Sequence, residues 1–428
     1  MQRTINIRKL LAIITGLAVV LVIFIVFLVK RSGPSVLINV NTNYAKATTT
    51  YRSLIKSNKK GGSNAEYLGT GTFNKTIRSG EYLIETSWGN RVINTYISVK
   101  KDDTLTLDHS LKDVAKVELL TKVDSRDVFV KDGLLSFVSP FAKTLQTYNL
   151  KEKRFYNYGS NSPNTYENGG AGMGRSVSDV VWNSSGNGVG LSDNGEVLFV
   201  SKSNVSPLQP KVTGPDFSND LGGDVNSVDV NNGGGVVFSS QKEVYYAPSQ
   251  EKGYYYLLSF EYSPKVRLSD NNKLLVLPPS QGELEEDKNA IKTSYIYDIA
   301  SKKRQDFTPP SGVVVDANWV NKDELLAYYD GSYSYLYNLS GGEQKILSNS
   351  YVDMENIFYV KDKVYYSANN DFWVFDVNKN SSYKLSEILL INAQLGGFYI
   401  NEGEGFISSY RVGQGGNVGG LYKFKITE

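Results

Sequence analysis

One short apolar pattern centred on an aromatic residue returns seven times along most of this chain, and no other feature limits its possible folds as strongly. It reads TLQTYNL (144–150), EVLFVS (196–201), EVYYAP (243–248), SYIYDI (294–299), SYLYNL (334–339), DFWVFDV (371–377) and LYKFKI (421–426). Between the anchors Tyr148, Phe199, Tyr246, Tyr297, Tyr337, Phe375 and Phe424 the intervals are 51, 47, 51, 40, 38 and 49 residues, a mean of about 46. A second register keeps step with the first, because Trp182, Trp319 and Phe358 precede their anchors by 17, 18 and 17 residues. In the clearest unit, 319–347, two runs rich in Tyr, Leu and Ala flank the turn Asp330-Gly331-Ser332, and a third apolar run follows Ser340-Gly341-Gly342.

A period of roughly 40 to 50 residues, each holding several short strands, is the spacing of propeller blades. Both faces of the repeated strand are apolar, as expected where a sheet is sandwiched between neighbours and neither face meets water. After the anchor most units add a further apolar run (KRFYNY, YYYLLSF, KRQDFT, EQKIL, YKLS), which predicts an outermost fourth strand. The seventh unit has no such run before Glu428, which would leave an unpaired sheet edge. KVELLTK (116–122), just ahead of the first unit, has the pattern of EQKIL and is expected to pair with 421–426 and close the circle; the competing reading is a linker helix over 111–119. In repeat length and in turns such as Ser192-Asp193-Asn194-Gly195, residues 116–428 resemble the broad WD-repeat-like and TolB-like propeller superfamily. The Gly-His and Trp-Asp dipeptides of the WD family are absent, so the resemblance implies a seven-bladed β-propeller and no functional residue.

The amino-terminal part is organised differently. Residues 10–29, LLAIITGLAVVLVIFIVFLV, are uncharged and apolar, long enough as a helix to cross roughly 30 Å of hydrocarbon. Arg3, Arg8 and Lys9 precede the run and Lys30 and Arg31 follow it, which favours a cytoplasmic tail (1–9) and an extracytoplasmic remainder. A cleaved signal peptide is the alternative, but the run exceeds the usual h-region and no A-x-A-like site follows it. Residues 35–111 carry strand patterning with a Gly/Lys/Asn-rich interruption near 57–64. Within them, the Gly69-Thr70 lead-in, the strand start Gly80-Glu81-Tyr82-Leu83-Ile84, and the pair 92–99 and 104–107 resemble the PEGA family of small cell-envelope β-domains. The family's lead-in proline and its eponymous tetrapeptide are missing. The resemblance implies an envelope location and a spacer role, with no chemistry.

Composition narrows function mainly by exclusion. Lys plus Arg total 46 against 44 Asp plus Glu, so no global field points to nucleic acid. Without cysteine the chain has no disulfide, thiol nucleophile or thiolate metal site. His109 is the single histidine, so a catalytic triad would have to use it, yet it follows a strand end far from the repeat loops and suits a structural or exposed role. GGAGMGRS (169–176) superficially suggests a phosphate loop, but no Lys-Ser/Thr pair follows and a strand stands where a helix is needed. Glu283, Glu285, Glu286 and Asp287 lack calcium-loop spacing, as does 224–235, and read as solvated turns. The sequons at Asn183 and Asn380 are of the frequency chance gives. Thirty tyrosines exceed what a core needs, and in the run Tyr254-Tyr255-Tyr256 at least one must face away from its neighbours. No catalytic, cofactor-binding or metal-ligating set emerges, and the binding residues are not identified. The sequence therefore predicts a single-pass membrane protein whose propeller is a scaffold for an envelope protein or cell-wall glycan. The alternatives are a glycan hydrolase with paired carboxylates in the channel, and a glycan binder with an exposed row of tyrosines on one face.

Overall fold

The computed structural model describes residues 35–54, 65–100, 104–158, 176–192, 195–201, 204–209, 225–260, 262–277, 294–310, 314–321, 325–369, 371–387, 393–401, 403–412 and 418–426. All regular structure among them is β-strand. No helix of the described residues is long and apolar enough to cross a membrane, and the run 10–29 lies outside them. The chain divides into two compact units, Met1–Lys112 and Asp113–Glu428.

In the first unit, Ser35–Asn41 lies between Phe73–Arg78, antiparallel, and Thr104–Asp108, parallel. A second sheet runs in the order Arg91–Val99, Gly80–Trp88, Thr48–Ser53, Glu66–Thr70. The alternation of Val36, Ile38 and Val40 sends every second side chain of the first strand inward, where Ile84, Tyr82, Ile97 and Leu107 meet them in one core. Gly80 to Ile84 does begin a strand, as its pattern suggested. His109 is buried among threonines, with Nδ1 2.7 Å from Thr86 Oγ1 and Nε2 2.9 Å from Thr95 Oγ1.

The second unit is a succession of four-stranded antiparallel meanders, the architecture of a β-propeller. The first is Arg126–Lys131, Leu134–Ser139, Thr144–Asn149 and Arg154–Asn157. The aromatic-anchored strand occupies the third position of every meander, as in Tyr148 of the first, Tyr337 of the fifth (Asp316–Trp319 to Gln344–Ser348) and Phe375 of the sixth (Ile357–Val360 to Ser381–Glu387). The Trp/Phe register falls on the innermost strand, at Trp182, Trp319 and Phe358. The final meander takes its outermost strand from the beginning of the unit: Glu118–Lys122 pairs antiparallel with Gly420–Lys425, through Leu421↔Thr121 and Tyr422↔Leu119.

The two apolar faces of each meander are explained by what they touch. Core clusters form between neighbours: Val138, Leu145, Val180 and Leu198 between the first and second, and Leu275, Ile296, Trp319 and Tyr328 between the fourth and fifth. Between the sixth and seventh, Phe372 packs on Phe398 at 4.8 Å and on Phe424 at 5.8 Å between centroids. Tight hairpins return the chain within each meander. Asp132-Gly133 and Lys361-Asp362 take positive φ at both central residues, the type I′ geometry that follows strand twist. In the diagnostic unit, Asp330 Oδ1 accepts from the Ser332 and Tyr333 amides while Gly331 takes φ 94°, so that turn is held by its own side chain.

His109 gives a direct test of the first unit's packing. Burial holds its pKa down at about 4, with the Asp108 charge opposing. The folded state therefore binds fewer protons than the unfolded chain between about pH 6.5 and 4, and stability present above 6.5 is lost as pH falls through that window, by about 3 kcal/mol in all. Because it is the only histidine, its ring signals in an NMR titration should stay in the neutral form to near pH 4; titration near 6.5 would mean that the ring is solvated.

Candidate functional site

The innermost strands surround a channel. Residues of Arg126–Lys131, Asp179–Trp182, Val225–Val230, Lys265–Leu268, Asp316–Trp319, Ile357–Val360 and Ala393–Asn401 all line one cavity of ≈ 400 Å³. These strands interlock through side chains that bond the neighbouring backbone. Val180 N–H donates to Asp127 Oδ2 at 3.1 Å and Trp182 Nε1 to the Asp127 carbonyl at 2.7 Å. Asp229 accepts from Leu268 N–H at 2.7 Å, Trp319 Nε1 donates to the Arg267 carbonyl at 3.2 Å, and Asn318 Nδ2 to the Met354 carbonyl at 2.7 Å. Phe398 N–H donates to Asn356 Oδ1 at 3.2 Å. Gly396 admits a close backbone approach, since a Cβ there would stand 2.2 Å from the Ser125 carbonyl oxygen. The polar character of the wall is thus largely structural in origin.

Two constellations remain. Asp127 sits at φ 52° in a β-bulge of the first meander, which turns its carboxyl toward Asp179 of the second. Burial, and then the charge and hydrogen bond of Asp179, push Asp127 well above the usual carboxylate range. That direct contact is closer than the roughly 5 to 9.5 Å that a glycosidase pair keeps open for sugar and water. The pair does not supply the hydrolase geometry.

On the fourth meander Arg267 is buried, with Nη2 2.8 Å from Glu355 Oε1. Lys265 Nζ bridges Asp316 Oδ1 at 3.1 Å and Glu355 Oε1 at 3.6 Å, and Tyr351 donates its hydroxyl proton to Asp316 Oδ2 at 3.0 Å. Burial opposes the Arg267 charge, yet Glu355, Asp229 and Asp316 outweigh it and raise the pKa further. The Arg267 charge in turn holds Glu355 below its ordinary range. The fourth, fifth and sixth meanders are thereby tied across one side of the channel.

A second cavity of ≈ 400 Å³ lies where the closing strand meets the first meander, lined by Lys122, Asp124, Ser139, Phe141, Arg411 and Val418. Asp124 is fully engaged there. It accepts from Arg411 Nε at 2.7 Å and Nη2 at 2.6 Å, and from the Arg411 and Gly419 amides at 2.8 Å each. Burial raises its pKa, but these bonds overcome it and the net shift is downward. The Arg411 guanidinium also lies 5.0 Å over the Phe141 ring.

The residues singled out from sequence do not converge. His109 is a satisfied core group of the first unit. Asn183 is buried and donates to the Asn231 carbonyl at 3.0 Å, so its sequon is structural. Tyr254 is buried, Tyr255 half-buried and Tyr256 exposed, and no row of exposed tyrosines occurs among the described residues. Residues 169–175, 283–287 and Asp224 lie outside the described residues. Among the described residues no group of three or more acidic, histidine or cysteine side chains could hold a metal ion.

No protein-family profile matches the sequence, and no curated protein does. Solved structures similar to this chain include the WD40 repeats of RRP9 (10% identity, 73% of this chain and 97% of that one, TM-score 0.48). YCF48 bound to D1 peptide is another (10%, 74% and 98%, 0.48). The extracellular domain of a putative hybrid two-component system, BT4673 from B. thetaiotaomicron, is a third (9%, 91% and 58%, 0.48). At this level the likeness carries no information on ligand or partner.

The carboxyl pair yields a pH signature. A folded-state pKa raised above the unfolded value means stability that is complete below the unfolded value and lost as pH rises through the folded one. Asp127→Asn, which keeps the shape and cannot ionise, should flatten that fall in a series of urea denaturations across pH. An unchanged slope would show that Asp127 is solvated and ordinary.

Proposed function

We propose that this chain is a single-pass membrane protein of the cell envelope, with residues 1–9 in the cytoplasm and 10–29 as the anchor. A PEGA-like β-domain (35–111) then acts as a spacer for a seven-bladed propeller (116–428) whose ring is closed by the strand within 116–122. The propeller is a binding scaffold outside the cytoplasm, and its partner is an envelope protein or a cell-wall glycan.

The observation that supports the binding role is that four exposed apolar side chains share one edge of the meanders, two of them, Phe141 and Val418, on one cavity, while Leu134 and Val360 lie at the opposite edge and Leu119 and Tyr256 on outermost strands. In an antiparallel meander the turns joining second to third strands share one edge with the connections to the next meander. Phe141 and Val412 and Val418 belong to second-to-third connections and Tyr351 to a connection between meanders, and they are 60%, 59%, 45% and 46% exposed. Large apolar groups grouped on one face of a rigid scaffold are what partner surfaces use. The anchor and spacer are supported by the apolar run, its flanking charges and the family resemblance.

The test combines location and face. The full-length chain should fractionate with membranes, with the propeller open to protease added to intact cells. Phe141→Asp with Val418→Asp should lower retention on isolated envelopes about tenfold, the equivalent of roughly 1.4 kcal/mol, while leaving the unfolding midpoint in place. Full-length protein in the soluble fraction contradicts the anchor, and undiminished retention contradicts the face.

A further inference from the structure

We propose that the cavity at the closing seam of the second unit seats an acidic peptide segment bearing an aromatic side chain, with the ring against Phe141 and Val418 and the carboxylates on Lys122 and Arg411. The proposal rests on the loop-face reading above and chooses between the two partners it left, a protein and a glycan.

Register brings the site together from three separate stretches. Lys122 ends the closing strand and faces Gly420, two residues beyond Val418. Arg411 ends the strand Glu404–Arg411, and both its amide and its guanidinium bind Asp124, two residues past Lys122. Phe141 stands in the turn after Leu134–Ser139, where the Arg411 guanidinium covers its ring at 5.0 Å. The cavity lined by these residues measures ≈ 400 Å³, within the range of small-ligand pockets. It opens to solvent, because Phe141 and Val418 on its lining are 60% and 45% exposed.

Charge and apolarity together select the occupant. Asp124 is the one carboxylate on the lining, and it is withdrawn: its side chain is 6% exposed and its oxygens already take four bonds from Arg411 and Gly419. The cations are not withdrawn. Lys122 is exposed, the Arg411 side chain is 35% exposed, and Lys143 is exposed on the same turn as Phe141. Residues 413–417, outside the described ones, bring no charge of either sign. A ligand entering here meets cations and no available carboxylate, which favours an acidic one. Phe141, Val418 and the neighbouring Val412 supply the apolar half of the surface. Covering them is favourable only with an apolar partner, and an aromatic ring also suits the guanidinium beside them. A neutral glycan answers neither feature and a polyanionic glycan answers one. A peptide with both kinds of side chain answers both.

The experiment uses the full-length chain in detergent and fluorescently labelled random copolymers as probes, read by anisotropy. Poly(Glu,Tyr) carries both features, polyglutamate lacks the ring, and poly(Lys,Tyr) reverses the charge. Poly(Glu,Tyr) should saturate, about tenfold or more tighter than either comparison, and should weaken with added salt. Phe141→Ala should weaken it about tenfold, and Lys122→Gln with Lys143→Gln roughly fivefold, with the unfolding midpoint unchanged. Lys153→Gln with Lys303→Gln removes two exposed charges elsewhere and should have no effect. Absence of saturation, polyglutamate binding as tightly, or equal loss in the Lys153/Lys303 pair would each overturn the proposal. If envelopes still retain the chain when the copolymer result is negative, the peptide proposal fails alone; if they retain nothing, the loop-face reading fails with it.

Discussion

The second unit depends on one ladder, in which Glu118–Lys122 pairs with Gly420–Lys425. Strands about three hundred residues apart in sequence are joined there by backbone bonds that no local preference would form. Everything on either side of the ladder reinforces it. Asp124 gathers the Arg411 and Gly419 amides and the Arg411 guanidinium, and Ser125 N–H donates to the Ser409 carbonyl at 2.9 Å. Val128, Leu135 and Phe137 pack there with Phe406 and Leu421. On our reading this seam closes the ring, and the channel has a complete wall only because it holds.

The seams show how apolar and polar forces divide the work. Dispersion and burial act between the broad faces, where both sides of each third strand are covered by neighbouring meanders. They are non-directional and do not set the angle at which one meander meets the next. Direction comes from short polar links nearer the axis. Asn183 donates to the Asn231 carbonyl, Asn231 to the Ser269 carbonyl, and Asn232 to Asp270, so three successive hairpins are chained in one register. Each such bond adds only about 1 kcal/mol net, but a buried group left without its partner would cost more. The polar wall of the channel follows from this arrangement, which is why most of its charges are engaged and the unmatched Nε–H of Arg267 stands out.

Much of this architecture could be read from the sequence, because the third strand is buried on both faces and so cannot vary freely. Tyr148, Tyr337 and Phe375 were visible as anchors for that reason, and Trp319 marked a second strand because its ring is fully buried between meanders. Weaker elements were not visible. Asn204–Pro207 is a strand by pairing, yet its polar residues and proline gave no pattern. Asn183 read only as a chance sequon and Asn231 only as part of the stretch 224–235, although both bind a neighbouring meander, whereas Asp330, read as a turn residue, binds its own turn. Asp127 and Asp179 lie in separate repeats and became a pair only through a bulge at positive φ, which has no signature at an Asp. Arg267 read as one polar residue in a short strand; its burial depends on Glu355 two meanders away. The sequence thus carried what is repeated and left out what occurs once.

Closure can be tested by covalent trapping, which the absence of native cysteine makes clean. Glu118 and Lys423 are paired across the closing ladder, and directly opposed residues stand close enough for a disulfide to form. With both changed to cysteine, mild oxidation of the folded full-length protein should cross-link them nearly completely and raise resistance to urea. The offset pair Glu118→Cys with Lys425→Cys should not cross-link under the same conditions. If the opposed pair stays reduced in folded protein, or both pairs cross-link equally, the closing strand is not where we place it.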